Sequence, residues 1–551
     1  MRPCSLRLRL MRLPLLMLLL WVHVASTQSS VPPSTVAHPA FPAGTASVLG
    51  QQVAAIVAEP GVVRAHWGIA VSAMDGTPIF GLNAGEYFRP ASNAKLFTTA
   101  AAMHLLGAAT RTSTVVITTT PVKSGGLVEG DIALIGNGDA NLSGRTLPYI
   151  APSERKLQAL DAKHPSTPAN PLRYIDDMAA SVAAKGIKHI RGNVIGNDTF
   201  WPWEPYANDW SIDDAVWGYG APVSALTLDD NQLDLTIQPG TAPGQPATAK
   251  LTPETGYYSL QMNVKTIAAK QPASIRIDRS IGSRVLRIVG TVPMAEPYST
   301  EIAIEDPAQF AAQALKTALQ AHGIRVDGKA LAVHRESDET RSFSNESREP
   351  LPDLPRTPVQ AESNVLQPGS IVAQLASPTL SDDVVLTLKV SQNLHAEMLL
   401  RRLGRAYGTE GSTAQGARVV RQFLLNAGLD GDDFAFYDGS GLSGHDLVTP
   451  RATAQLLVYA AQQPWFATWK SGLPVGGEDG TLASRFSTAP LKDHLFAKTG
   501  TLAEVRALSG YVDCASGKTV IFSVMIDNHA PNTPADREAI DRIVAAIAAA
   551  N

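Results

Sequence analysis

Cysteine is almost absent from this 551-residue chain, with only Cys4 and Cys514 present. So small a number excludes a disulfide-built scaffold and cysteine-based metal ribbons. Cys514 ends the apolar run Leu508–Cys514, which reads as a strand before an Ala515-Ser516-Gly517-Lys518 turn, and no base partner stands nearby to make it a nucleophile. Charge is sparse as well: 17% of residues, with a net −4. That balance gives no reason to expect nucleic-acid binding or an electrostatic grip on membranes. The twelve histidines form no H-E-x-x-H and no close pair, which argues against a zinc peptidase; no metal and no cofactor is expected. Gly439-Ser440-Gly441-Leu442-Ser443-Gly444 matches a dinucleotide fingerprint only literally, because His445, Asp446 and Pro450 follow instead of a helix.

Long hydrophobic runs are missing too. Leu13–Val24 is the notable one near the N-terminus, about a dozen residues where a membrane span needs roughly 20. Arg2, Arg7, Arg9 and Arg12 precede it and Ala25-Ser26-Thr27 follows, so residues 1–27 read as a secretion signal. Retention as an uncleaved anchor is the alternative, although no stable transmembrane anchor is expected. Cys4 lies in no lipobox. Removal of the signal would leave Cys514 alone and exclude an intramolecular disulfide. What remains is 44% hydrophobic, ordinary for a globular chain with room for two or three domains.

Against this background three short motifs stand out: Ser92-Asn93-Ala94-Lys95, Ser391-Gln392-Asn393 and Lys498-Thr499-Gly500. A serine hydroxyl is a poor nucleophile until a neighbouring base takes its proton. Residues three apart share a helix face. Pro90 suits the start of a helix, and Lys95–Leu106 continues with good helix formers to Gly107, so Ser92 and Lys95 are expected to touch. Burial and the helix N-terminus should lower the lysine pKa toward that of a usable base. Ser391 follows the alternating apolar run Val384–Val390 and precedes a helix-like stretch from His395, a junction able to aim a hydroxyl and a carboxamide into a cleft. An N-cap serine is the bland alternative. Lys498–Leu502 reads as a strand entering the same cleft, with Gly500 permitting close backbone approach. A second S-x-x-K, Ser153-Glu154-Arg155-Lys156, follows Pro152 in a polar stretch with no partner motifs in order, and reads as solvated surface.

In this order, S-x-x-K, S-x-N and K-T-G resemble the active site of penicillin-recognising acyl-serine transferases. Ser92 and Ser391 are 299 positions apart and Ser391 and Lys498 are 107 apart, so a large module is inserted behind the nucleophile helix. That layout resembles the D-alanyl-D-alanine carboxypeptidase/endopeptidase family of low-molecular-mass class C penicillin-binding proteins (peptidase family S13). Phe88–Lys95, Gly136-Asn137-Gly138-Asp139, Tyr219–Leu226 with Asp230-Asn231, Asp438–Ser443 and Gly477–Leu482 are similar to segments of that family. The second motif reads Ser-Gln-Asn where the family often has Ser-Asn-Asn. The resemblance implies Ser92 as nucleophile, Lys95 as base and Ser391 as proton relay. It further implies Asn393 on a substrate amide, and Lys498 with Thr499 on a substrate carboxylate. Gly500 would let the strand approach, and the Thr501 and Ser92 N–H groups would form an oxyanion hole. Peptidoglycan stem peptides are the implied substrates and β-lactams the implied covalent inhibitors, in a periplasmic or wall-associated setting.

The implied fold is α/β, a transpeptidase/β-lactamase-like catalytic domain of sheet flanked by helices, split by a mainly β insertion. Expected boundaries are signal 1–27, Pro/Ser/Thr-rich linker 28–44, a first catalytic segment 45–115, accessory module 116–375 and a second catalytic segment 376–551. The module is expected to form two subdomains, and its Glu-, Ser-, Arg- and Pro-rich 335–370 stretch to be a flexible loop; a second long loop is expected over 143–174. Helices are expected over 47–58 and 535–549, a hairpin over 67–82 around Asp75-Gly76, and paired strands over 508–512 and 519–526. Trp201, Trp203, Trp210 and Trp217 could line a groove or pack the module's core. A β-lactamase, a broader serine esterase or D-aminopeptidase, and a non-catalytic wall-binding protein are the competing readings.

Overall fold

The computed structural model describes residues 41–42, 47–155, 170–351, 354, 370–531 and 533–551. The expected signal, most of the linker, and stretches of both expected long loops lie outside these residues. Among the described residues no helix is long and apolar enough to cross a membrane.

The two ends of the sequence share one five-stranded antiparallel sheet, in the order Leu495–Leu502, Val505–Asp513, Thr519–Asp527, His66–Ala73, Pro78–Leu82. Its strands alternate sides with a period of two, as a pleated backbone requires. Ile69, Val71, Leu508, Val512, Val524 and Ile526 face one apolar layer, shared with Leu49 and Val53 and with Ile540, Ile543, Val544 and Ile547. Those partners belong to helices Val48–Val57 and Ala535–Ala550. Ala70, Ala507, Tyr511, Ile521 and Met525 face the opposite layer, where Leu96 and Phe97 of the helix Ala94–Leu105 are packed. Ser47 caps the first helix, its hydroxyl accepting from the Gly50 N–H at 3.0 Å.

Between the halves, a second five-stranded sheet runs Ala330–Val333, Val194–Asn197, Ile132–Ile135, Ser113–Thr118, Ser370–Ala376. The chain leaves the catalytic half through Ser113–Thr118 and comes back through Ser370–Ala376, which pair antiparallel. Three three-stranded sheets, containing Gln232–Gln238, Val285–Pro293 and His189–Ile190 respectively, and the helices Arg173–Ala184 and Pro307–Ala321 complete the region. One continuous apolar cluster containing Leu134, Val182, Leu235, Ile288 and Leu315 runs through it.

Two local expectations need correction. Val384–Val390, read as an alternating run, belongs to a helix, Leu380–Val390, opened by a capping box in which Thr379 and Asp382 bond each other's backbone N–H groups. Residues 335–351, expected as flexible loop on composition, are pinned: Arg335 pairs with Glu410 at 3.1 Å, Phe343 stacks on Tyr437, and Phe343–Arg348 is helical.

Candidate active site

Ser92 sits in a 3-10 turn, Ala91–Asn93, that runs into the helix Ala94–Leu105, whose residues Ala94–Met103 are all buried. Two glycines let other segments close on that turn. A Cβ at Gly500 would lie 2.6 Å from the Pro90 carbonyl oxygen, and one at Gly441 (φ +80°) would lie 1.8 Å from that of Ala91. The K-T-G strand and the Asp438–Ser443 loop thus rest directly against the nucleophile turn.

The Lys95 side chain, fully buried, meets three acceptors: Ser92 Oγ at 3.0 Å, Asn393 Oδ1 at 2.6 Å and the Ser440 carbonyl at 2.7 Å. Asn393 begins the helix Asn393–Tyr407, and its Nδ2 donates to the Tyr219 carbonyl at 2.9 Å. Ser391, which ends the preceding helix, has left-handed backbone (φ 61°), so the chain turns sharply and its hydroxyl meets Lys498 Nζ at 2.8 Å. Lys498 is fully buried and also donates to the Thr499 carbonyl at 2.9 Å. Thr499 and Thr481 share a hydroxyl–hydroxyl bond of 2.7 Å. Ser92, Ser391, Asn393, Thr499 and Thr501 all open onto one cavity of about 980 Å³, with both lysines beneath its floor.

Burial sets the electrostatics. It lowers Lys95 to about 8, against the opposing pull of Asp438, Glu397 and Asp446. Lys498 is held well below the usual lysine range by burial and then by the nearby Lys95 charge. Glu397 is pushed up to about 8 and Asp446 well above the carboxylate range, in both cases by burial first and the Asp438 charge second. Asp438 anchors the loop that carries the Ser440 carbonyl. Its carboxylate accepts the N–H groups of Ser440, Gly441, Leu442 and Ser443, the Ser440 hydroxyl and the Trp210 indole N–H. A lysine able to lose its proton, one hydrogen bond from a serine at the edge of a cavity, is the arrangement acyl transfer through serine needs.

All eight sequence-predicted residues converge here. Sequence reasoning missed Glu397; Trp210, named as a possible groove liner, does line the cavity, and Tyr219, Asp438, Ser440 and Thr481 stood in family-like segments without an assigned role. The Asp-Gly-Ser-Gly run was a visible signal for Asp438 and Ser440. For the tryptophans the answer divides: Trp201 is buried packing, whereas Trp210 reaches the cleft. Ser153 of the second S-x-x-K is exposed; Lys156 lies outside the described residues.

Comparison with known proteins identifies the family and the fold. The family model described as "D-Ala-D-Ala carboxypeptidase 3 (S13) family" matches residues 49–366 and 356–549. A D-alanyl-D-alanine carboxypeptidase of Actinomadura sp. (strain R39) is 31% identical over 499 residues, covering 88% of this chain and 82% of that protein. The D-alanyl-D-alanine carboxypeptidase DacB of Haemophilus influenzae is 23% identical, over 64% of this chain and 68% of that one. The crystal structure of penicillin binding protein 4 (dacB) from Haemophilus influenzae shares the fold, with a TM-score of 0.70 at 20% identity over 89% of this chain and 97% of that one. The chain belongs to the D-Ala-D-Ala carboxypeptidase 3 (S13) family.

Proposed function

We propose that this protein is a serine-type D-Ala-D-Ala carboxypeptidase that works through an acyl-enzyme on Ser92. The observation that carries the reading is Lys95 Nζ, buried and 3.0 Å from Ser92 Oγ. Neutral Lys95 takes the hydroxyl proton as Ser92 Oγ bonds to the penultimate D-alanine carbonyl carbon. The oxyanion so formed is received by the Ser92 and Thr501 N–H groups. The C–N bond then breaks, and the departing amine takes, by way of Ser391, the proton that Lys95 removed from Ser92, leaving Lys95 neutral again; the Ser391 hydroxyl also touches Lys498. Thr499 and Thr501, with Lys498 beneath them, hold the carboxylate of the departing residue, while Asn393 holds an amide on the acyl side. Water then attacks the ester, the bond from the acyl carbon to Ser92 Oγ breaks, and the proton lost by that water passes to Ser92 Oγ.

β-Lactams enter the same site and stall as esters, because the opened ring stays attached and blocks water. The endopeptidase reaction is the same chemistry with the amine of a peptide cross-link departing in place of D-alanine. Export by residues 1–27 to the periplasm or wall and an accessory role for 116–375 complete the reading. Intact mass after brief exposure to benzylpenicillin tests it. One long-lived adduct on the wild type and none on Ser92→Ala is expected; an intact drug with no adduct would overturn the reading, and rapid drug hydrolysis would make the protein a β-lactamase.

A further inference from the structure

A second cavity, of about 510 Å³, adjoins the catalytic cleft and has Thr481, Thr499 and Thr501 in common with it. The two chambers differ in sign. Among the described residues, the main cleft has Asp209, Asp214 and Glu504 on its walls and Arg89 as its one arginine. The second chamber is lined by Arg485, Arg506 and Arg537 and, among the described residues, by no carboxylate.

The arginines are aimed by groups behind them. Arg506 Nε donates to buried Asp536 at 2.7 Å, and an Arg485 terminal nitrogen pairs with Asp541. Neither of those acids lines the chamber. Arg485 Nε is buried with no partner, and exposed Arg537 has no partner among the described residues. Arg537 also lies in the first turn of the helix Ala535–Ala550, whose N-terminal N–H groups add to the positive field. The volume suits a small peptide fragment rather than a lone ion.

We propose that this chamber is a subsite for an anionic leaving group, one whose departing residue carries a second carboxylate beyond the one on its α-carbon. The inference rests on the carboxypeptidase reading and extends it. If Thr499 and Thr501 hold the α-carboxylate of the departing residue, they fix it at the boundary between the chambers. The acyl portion then occupies the main cleft beside Trp210 and Tyr219, and the side chain of the departing residue continues toward the three guanidinium groups. D-Alanine leaves the chamber empty; an acidic D-residue, or the carboxylate-bearing arm of a cross-link, fills it. The bond broken and the proton path are those of the carboxypeptidase reaction.

The test compares release of D-Ala, D-Glu and D-Lys from otherwise identical N-acyl-D-Ala-D-Xaa peptides by the full chain. Wild type should release D-Glu with a kcat/KM about tenfold above that for D-Lys, a preference that shrinks with added salt. Arg537→Glu should lower the D-Glu to D-Lys ratio at least tenfold by gaining D-Lys release, a change that misfolding cannot mimic. Arg485→Gln should lower the D-Glu to D-Ala ratio about fivefold. Equal release of D-Glu and D-Lys by a wild type that cleaves D-Ala-D-Ala would overturn the subsite alone, as would an unmoved ratio in Arg537→Glu. No D-Ala release by the wild type would overturn the carboxypeptidase reading and the subsite with it.

Discussion

Lys95 is the residue on which the chemistry turns, and its surroundings give its titration a sign. A base must be neutral to accept the Ser92 proton, so with Lys95 near 8 the rate of benzylpenicillin acylation should rise with pH and level off above about 8. Asp438 pulls that value upward and burial pulls it down. Asp438→Asn should therefore shift the rising limb to lower pH, even as it loosens the loop carrying the Ser440 carbonyl and slows acylation. A limb that moves to higher pH, or stays in place, would show that Lys95 is not the titrating base. Removing the amine altogether, in Lys95→Ala, should cost roughly 10²–10⁴ in acylation rate with the fold retained. The Ser92–Lys95 pair was legible in the sequence because three residues along a helix fix a distance. The acids beneath it were less so: Asp438 stood in a visible Asp-Gly-Ser-Gly run, but no local pattern joins Glu397, Asp438 or Asp446 to Lys95.

At the scale of elements, the second motif works because two helices meet at a left-handed residue. The sequence places Ser391 at a junction, and the structure does so too, with the alternating segment before it folded as helix. Thr379 and Asp382 were the local signal for that helix: a capping box outranks a short apolar alternation that a buried helix can also produce. The bland alternative, Ser391 as N-cap, is not what forms, since Gln392 caps the next helix through its side chain at Leu394 N–H, 3.2 Å away. A left-handed serine costs conformational energy that glycine avoids. Ser391→Gly should then match or exceed the wild type in thermal stability, by up to about 1 kcal/mol, whereas Ser391→Ala should not. Both should lose the hydroxyl that meets Lys498, and with it most of the turnover of a D-Ala-D-Ala peptide. Higher stability for the alanine variant in a melting experiment would contradict the strain argument.

Across the whole molecule, the order and spacing of the motifs announced an insertion, but not how the insertion builds the cleft. The pairing of His66–Ala73 with Thr519–Asp527 spans most of the chain, and the contact of Asn393 with Tyr219 joins the two halves; no window of sequence holds both partners. The same holds for the charged joint beneath the second motif. His395, almost fully buried on the helix that starts at Asn393, lies between Asp383 Oδ1 at 2.6 Å and Asp230 Oδ1 at 3.2 Å, the latter from the inserted region. Burial lowers its pKa, but Asp383 and Asp230 outweigh that and raise it to about 9. A histidine raised above its unfolded value of about 6.5 stabilises the fold fully below that pH. Its contribution fades as pH rises from about 6.5 through 9, and its size at low pH is on the order of 3 kcal/mol. His334, raised to about 10 beside Asp198 and Asp306, has the same sign, so the wild-type slope alone does not isolate His395. Comparison with His395→Gln does. In urea unfolding the variant should be much less stable than wild type at pH 6, and the gap should narrow steadily toward pH 9. A gap that is constant or widens with pH would mean that His395 is neutral in the fold, and that the joint between the two halves is held by hydrogen bonds without the charge.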